Sequence, residues 1–265
     1  MRIRQKPTSI IKIPKWLADT GLWIKYFHRK LKDKLKTNID SIWLRFLDFS
    51  AKRIEIPRKR FGSAYGGWTV CPLNLNKDAI IYSLGIGEDI TFDLAIIEKF
   101  RCQVFAFDPT PRSIEWLKLQ NLPPQFSWHK IGVACYDGKA KFFPPENPAH
   151  ISHTLLNRPQ TTDKAIAVEV NRLPTLLKRF GHTHIDILKM DIEGAEYEVI
   201  GDLLSTGIKP TQILVEFHHF FDNISVFKTI HTTLRLYLSG YRIFALSKSG
   251  HEYSFIKHSF LKSVK

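Results

Sequence analysis

Residues 80–89 read IIYSLGIGED, an apolar run that leads into a Gly-x-Gly turn. Residues with helical spacing follow from Thr91, so the pattern predicts a strand, a glycine turn and a helix. A unit of this kind binds its ligand at the carboxyl end of the strand, above the N-terminus of the helix. Because glycine has no Cβ, we expect Gly85, Ile86 and Gly87 to bring their backbone close to that ligand.

The two acidic residues after the turn, Glu88 and Asp89, indicate which ligand to expect. A dinucleotide fingerprint has a third glycine where this chain has Ile90, and two carboxylates would repel a diphosphate. They suit a cation instead, such as the sulfonium and ammonium groups of S-adenosylmethionine. The turn therefore favours S-adenosylmethionine over a dehydrogenase cofactor. The alternative is that both acids only cap the helix and complement its dipole.

Strand and helix patterns alternate along the rest of the chain. Strands are predicted at residues 68–71, 102–107, 128–135, 165–170, 185–190 and 212–217, and helices at 91–100, 111–119, 174–180, 195–204 and 225–238. Asp137-Gly138 is typical of a hairpin turn into a strand at 140–143. Residues 144–164 are predicted to form a long surface loop, and long loops in compact domains are often functional.

Two consecutive strands, at residues 241–246 and 253–257, close the chain as a hairpin. The preceding alternation predicts a parallel sheet with helices on both faces, and the hairpin adds one antiparallel strand. We therefore expect an α/β, Rossmann-like class I methyltransferase fold with a mostly parallel seven-stranded sheet and a C-terminal antiparallel hairpin. Asp108 ends the second strand of this sheet, where an acidic side chain accepts hydrogen bonds from ribose hydroxyls.

The basic charge of the chain is concentrated at its N-terminus. Residues 1–60 hold 17 basic and 5 acidic residues, a net charge of +12, out of +14 for the whole chain. We predict a basic, mostly helical extension at residues 1–60 and a cofactor-binding domain at 61–265. The extension is expected to pack on the domain, or to contact a membrane surface through residues 14–60. No nucleic acid is expected as a partner, because the aromatic residues share the apolar face.

Other features of the composition favour an intracellular protein. No run of residues is long and apolar enough for a membrane-spanning helix, and the N-terminus lacks the apolar core of a signal peptide. The three cysteines are far apart in the sequence and form no paired motif. We therefore predict a protein that is cytoplasmic or peripheral at a membrane surface, and the sequence leaves its oligomeric state open.

Residues 189–196, KMDIEGAE, resemble the K-x-D-x-E-G-A-E signature of the FkbM-type S-adenosylmethionine-dependent methyltransferases. The glycine turn at 85–87, the FDPTP stretch at 107–111 and Asp137-Gly138 follow in the order of that family. The likeness covers about residues 61–246, and YGGW at 65–68 is similar to a methyltransferase-like branch of the family. Two positions differ: Ser83 replaces the usual Asp, and Asp108 replaces a frequent Glu.

The resemblance implies a methyl transfer from S-adenosylmethionine. The residues expected to bind this cofactor are Gly85, Ile86, Gly87, Glu88, Asp108, Pro109, Gly132 and Asp191. The acceptor that the resemblance implies is a hydroxyl of a small molecule or a glycan. The alternatives are an N- or protein-directed methyltransferase, and a non-catalytic binding module that is tethered by the basic extension.

Methyl transfer from a sulfonium requires an acceptor atom in line with the methyl group and a group that takes its proton. The predicted strands 185–190 and 212–217 end next to the glycine turn and bring Asp191, Glu216 and His218 there, so these three are the expected catalytic residues. Asp191 is expected to contact the cofactor or the acceptor, and His218 to act as the base. Asp191, Glu216 and His218 also form a mixed oxygen and nitrogen donor set, but their spacing fits no tight metal motif, and we predict no metal.

Overall fold

The computed structural model describes residue 47 and residues 54–73, 75–145, 153–156, 159–221 and 224–263. The helical extension predicted for residues 1–60 lies almost entirely outside these residues. Within the described part of the chain, no helix combines the length and the apolar character that a bilayer crossing requires.

The strands, in chain order, are β1 (Lys59–Phe61), β2 (Trp68–Val70), β3 (Ile80–Leu84), β4 (Gln103–Phe107), β5 (Phe126–His129), β6 (Gly132–Val133), β7 (Gly138–Phe142), β8 (Ile166–Asn171), β9 (Ile187–Met190), β10 (Gln212–Glu216), β11 (Tyr241–Leu246) and β12 (Glu252–Lys257). The helices are α1 (Thr91–Phe100), α2 (Pro111–Leu117), α3 (Leu173–Phe180), α4 (Glu196–Thr206), α5 (Val226–Leu238) and α6 (His258–Ser263), with a 3₁₀ segment at Pro159–Lys164.

The central sheet has seven strands in the order β11-β12-β10-β9-β3-β4-β5. Strands β10, β9, β3, β4 and β5 run parallel, and β12 is antiparallel to both of its neighbours. This confirms the predicted Rossmann-like methyltransferase arrangement with its C-terminal antiparallel hairpin. The strands β3, β9 and β10 are buried almost throughout, which explains why they are continuous apolar runs in the sequence.

One predicted strand is wrong in the structure. Residues 128–135 form no continuous strand, because β5 pairs with β4 in the central sheet whereas β6 belongs to a separate sheet ordered β6-β8-β7. The chain changes sheets between His129 and Gly132. An ideal Cβ at Gly132 would lie 3.0 Å from Val170 Cγ1 and 3.4 Å from Pro109 Cγ, so β6 passes close to both side chains.

The hairpin predicted at Asp137-Gly138 is also wrong. Strand β7 pairs antiparallel with β8 and not with β6. The Asp137 carboxylate instead accepts hydrogen bonds from the backbone amide of Arg172 and the hydroxyl of Thr175, each at 2.8 Å. Asp137 therefore fixes the start of α3. The Asp-Gly pair that suggested a local hairpin turn serves this long-range contact instead.

The segment before β3 is held onto the central sheet by two buried side chains. The Gln212 amide of β10 donates to the carbonyl oxygen of Cys71 and accepts from its backbone amide, both at 2.8 Å. The hydroxyl of Ser254 in β12 donates to the carbonyl oxygen of Thr69, also at 2.8 Å. These bonds place β2, and the loop between β1 and β2, beside the edge of the sheet where the strands end.

Candidate active site

A cavity of about 270 Å³ opens at the carboxyl ends of β3, β4 and β9. It is lined by the glycine turn, by the residues that follow β4, by Gly132 and by the turn after β9. All eight residues that were expected to bind the cofactor line this cavity, namely Gly85, Ile86, Gly87, Glu88, Asp108, Pro109, Gly132 and Asp191. The sequence thus predicted where these residues meet, and their binding role stays a prediction.

The glycine turn passes directly over the end of β9. Gly85 has a φ of 76°, and an ideal Cβ there would lie 1.7 Å from the carbonyl oxygen of Asp191. The ammonium of Lys189 donates to the carbonyl oxygen of Gly85 at 2.6 Å. Burial raises the pKa of Asp93 beneath this turn, and the positive charge of Lys189 opposes that effect. The Lys189 side chain therefore holds the glycine turn against the end of β9.

Asp108 fixes the other side of the turn. Its Oδ2 accepts hydrogen bonds from the backbone amides of Ile86 and Gly87, both at 3.0 Å, and its Oδ1 accepts one from Thr110 at 2.8 Å. The residue is only 5% exposed. The sequence predicted a ribose contact but not this structural role. A ribose hydroxyl would use the remaining lone pairs of a carboxylate that the turn already orients.

Glu88 and Asp89 differ in their contacts. Asp89 accepts hydrogen bonds from the first backbone amide of α1, at Thr91, and from the hydroxyl of Ser63, both at 2.8 Å. Burial alone would raise the pKa of Asp89, but hydrogen bonds from the hydroxyl and backbone amide of Thr91 and from Ser63 outweigh it and lower the pKa. For Asp89 the capping alternative is therefore favoured. Both residues line the cavity, and Glu88 pairs with the half-exposed Arg112 at 2.7 Å.

The turn from β9 into α4 is built around Glu196, which is fully buried. Its Oε1 accepts hydrogen bonds from the backbone amides of Ile192 at 3.0 Å and Gly194 at 3.1 Å. Glu193 and Gly194 both have positive φ, at 55° and 100°. The acidic end of the KMDIEGAE signature therefore stabilises a left-handed turn that presents Asp191 and Glu193 to the cavity.

His218 lies behind the cavity, with 3% of its side chain exposed. Its Nδ1 is 2.8 Å from Glu196 Oε1, and its Nε2 is 3.6 Å from Asp191 Oδ1 and 3.8 Å from Glu193 Oε2. Burial lowers the pKa of His218, but these three carboxylates outweigh burial and raise it to about 10. The ring is therefore protonated near neutral pH, and it can act as a base only after losing that proton.

The acidic groups of the site raise one another's pKa. Burial and the charge of Asp191 raise the pKa of Glu216 to about 8. Burial also raises the pKa of Asp191, although His218 and Lys189 oppose it. The Asp191 side chain is nevertheless 37% exposed, because it faces the open cavity. Of the three expected catalytic residues only Asp191 lines the cavity, whereas Glu216 and His218 lie beside it.

The sequence did not identify part of the cavity wall. The further lining residues come from the β1–β2 loop, from the end of β7 and from the long loop that follows it, and include Tyr65, Gly66, Trp68, Phe142, His153 and Leu155. Two features of the sequence could have indicated these residues. Glycines flank the aromatic residues of the first loop, and the second loop is unusually long. The rings of Phe142 and His153 stack at 5.4 Å, which brings the described part of the long loop against the site.

Part of this chain is similar to curated proteins. Probable methyltransferase-like protein 24 of Homo sapiens is 27% identical over 182 residues, which are 65% of this chain and 43% of the human protein. Its Rattus norvegicus counterpart is 27% identical over 166 residues, which are 62% of this chain and 39% of the rat protein. The chain thus spans less than half the length of these curated relatives.

Similar proteins also occur among solved structures and family models. The crystal structure of methyltransferase FkbM from Methylobacillus flagellatus KT has a TM-score of 0.46 and 12% identity, and covers 69% of this chain and 44% of its own. Residues 76–243 match the model of the methyltransferase FkbM domain. This match extends over more than half of the sequence, and the chain therefore belongs to the FkbM methyltransferase family.

Proposed function

We propose that this chain is an S-adenosylmethionine-dependent methyltransferase that methylates a hydroxyl group of a small or carbohydrate-like acceptor. One observation carries the proposal: a single cavity gathers the glycine turn, Asp108 and Asp191, three features that lie far apart in the sequence. The acceptor class rests on the family resemblance, and a fold hosts many substrates.

The cavity offers complementary groups to each part of the cofactor. The turn at Gly85 and Gly87 lets the backbone approach the methionine portion closely. The carboxylate of Asp108 lines the cavity and would accept hydrogen bonds from ribose hydroxyls, and Pro109 and Gly132 would provide apolar surface for the adenine. The negative charge of Asp191 faces the same cavity and suits a sulfonium.

The proposed reaction is an in-line displacement. The acceptor oxygen attacks the methyl carbon, the carbon–sulfur bond breaks, and the sulfonium becomes the neutral thioether of S-adenosylhomocysteine. Asp191 is the proposed acceptor of the hydroxyl proton, because it lines the cavity and because burial raises its pKa towards that of an effective base. The cationic His218 then stabilises the arrangement of carboxylates around Asp191.

The first prediction concerns the variant Asp191→Asn. We expect it to lower methyl transfer by roughly 10²–10⁴-fold, because an amide cannot take the proton of the acceptor. The measurement is transfer of labelled methyl from S-adenosylmethionine to a panel of sugars and glycosides, followed by kinetics on the best acceptor. Asp78→Asn is the matched control, since Asp78 is exposed just before β3, at the opposite end of the sheet.

Two results of this assay would contradict the proposal. If Asp191→Asn transfers methyl within about twofold of the unmodified protein, Asp191 neither positions the acceptor nor takes its proton. If the protein binds the cofactor but methylates a peptide or amine and no hydroxyl compound, the acceptor class is wrong.

A further inference from the structure

Three side chains from two separate turns converge at the edge of the cavity. Asp191 and Glu193 follow β9, and His218 follows β10. One potential ligand atom from each lies within 4.8 Å of those of the other two. The donor set suggested by the sequence contained Glu216 and not Glu193. In the structure, Glu193 completes the set, because the left-handed turn at Glu193 directs its carboxylate towards His218.

The histidine of this group has a buried carboxylate behind it. Its side chain is buried, and its Nδ1 faces Glu196 Oε1 at 2.8 Å. Glu196 is itself anchored by the backbone amides of Ile192 and Gly194. A buried carboxylate beside one ring nitrogen, with the other ring nitrogen left to face a ligand, resembles the arrangement behind metal-binding histidines.

The presented nitrogen has no hydrogen bond to the carboxylates in front of it. Nε2 lies 3.6 Å from Asp191 and 3.8 Å from Glu193, beyond the roughly 3.2 Å limit of an N–H···O hydrogen bond. Ligand atoms around an octahedral ion with bonds of about 2.1 Å are separated by about 3.0 Å when adjacent and about 4.2 Å when opposite. The observed separations lie between these two values and are therefore compatible with donors around one small divalent ion.

We propose that Asp191, Glu193 and His218 form a binding site for a divalent transition-metal ion of the Mn²⁺ type. One imidazole nitrogen with two carboxylates favours such an ion over Mg²⁺, which prefers oxygen ligands. Asp191 and Glu193 both line the cavity, so the remaining coordination positions face the space where an acceptor would lie.

This metal site would affect the methyl transfer directly. That effect rests on the proposed function. A cation at the cavity wall would bind the acceptor hydroxyl and lower its pKa, which reduces the demand on the base. The two roles of Asp191 are compatible, because one carboxylate oxygen can hold the ion while the other faces the acceptor. His218 is cationic only in the metal-free protein, because its Nε2 gives up its proton when it binds the ion. The metal site itself requires no assumption about the acceptor.

The test is a titration of the metal-free full-length protein with Mn²⁺ at constant pH, with free Mn²⁺ measured by electron paramagnetic resonance. We expect one Mn²⁺ to bind per chain. Glu193→Gln is expected to weaken this binding by roughly a hundredfold, because it removes a charged ligand. Glu198→Gln is the matched control, since Glu198 lies in the first turn of α4 with its side chain 47% exposed and paired with Lys228.

S-adenosylhomocysteine binding, measured in the same samples, separates the two proposals. If the protein binds S-adenosylhomocysteine but no Mn²⁺, the metal site is refuted and the proposed function stands. If Glu193→Gln and Glu198→Gln bind Mn²⁺ equally well, the ligand assignment is refuted. Binding of Mn²⁺ that is lost only in Glu193→Gln supports the site, even if no S-adenosylhomocysteine binds.

Discussion

Gly85→Ala is expected to weaken S-adenosylhomocysteine binding by roughly a hundredfold or more, since misplacing a binding element by about 1 Å is enough for such a loss. The new Cβ would lie 1.7 Å from the carbonyl oxygen of Asp191, and the φ of 76° is strained for alanine. The turn must therefore move away from β9 and distort the cavity. Isothermal titration calorimetry measures the effect, and circular dichroism checks that the protein is folded.

The control for this variant is Gly207→Ala. Gly207 ends α4 with a φ of 77°, almost the same as that of Gly85, but a Cβ there would meet nothing within 4 Å. Alanine at this position should cost about 1–2 kcal/mol in backbone strain and leave cofactor affinity unchanged. Equal affinity of the two variants would show that the close approach of Gly85 to Asp191 is not needed for binding.

Glu196→Ala is expected to lower the free energy of unfolding by about 3–5 kcal/mol, the usual cost of removing one partner from a buried ion pair. The substitution leaves His218 buried without its nearest carboxylate, and it also removes the acceptor for the amides of Ile192 and Gly194. Urea unfolding monitored by circular dichroism gives this free energy.

Glu198→Ala provides the comparison on the same helix. Glu198 pairs with Lys228 at 3.0 Å, but about half of each side chain is exposed. Such surface pairs contribute only about 0–1 kcal/mol, so this variant should unfold nearly as the unmodified protein does. A destabilisation of similar size in both variants would mean that the Glu196–His218 pair is not a main support of the turn after β9.

The central sheet was predictable because its signals are local. A buried parallel strand is a continuous apolar run, and the glycine turn marks the end of β3. The boundary between β5 and β6 was not predictable, because both strands are short and only their partners in the sheets differ. The hairpin predicted at Asp137-Gly138 was wrong for a related reason, because the hydrogen-bond partners of Asp137 lie 35 and 38 residues away in the sequence.

The site was predictable to the extent that it follows from the topology. The carboxyl ends of neighbouring parallel strands meet at one edge, which brings Asp108 and Asp191 to the glycine turn. The pairing of Glu196 with His218 has no such signal, because it depends on the left-handed turn at Glu193 and on the register of β9 against β10. The sequence placed His218 at the site but could not give its charge.

A crystal structure of the protein with S-adenosylhomocysteine tests most directly whether the cavity is a cofactor site. We expect the homocysteine portion above the turn at Gly85, the ribose hydroxyls within hydrogen-bond distance of Asp108, and the adenine against the surface formed by Pro109 and Gly132. The sulfur should face Asp191. Ligand bound elsewhere on the chain, or no binding at saturating S-adenosylhomocysteine, would contradict the proposed cofactor site.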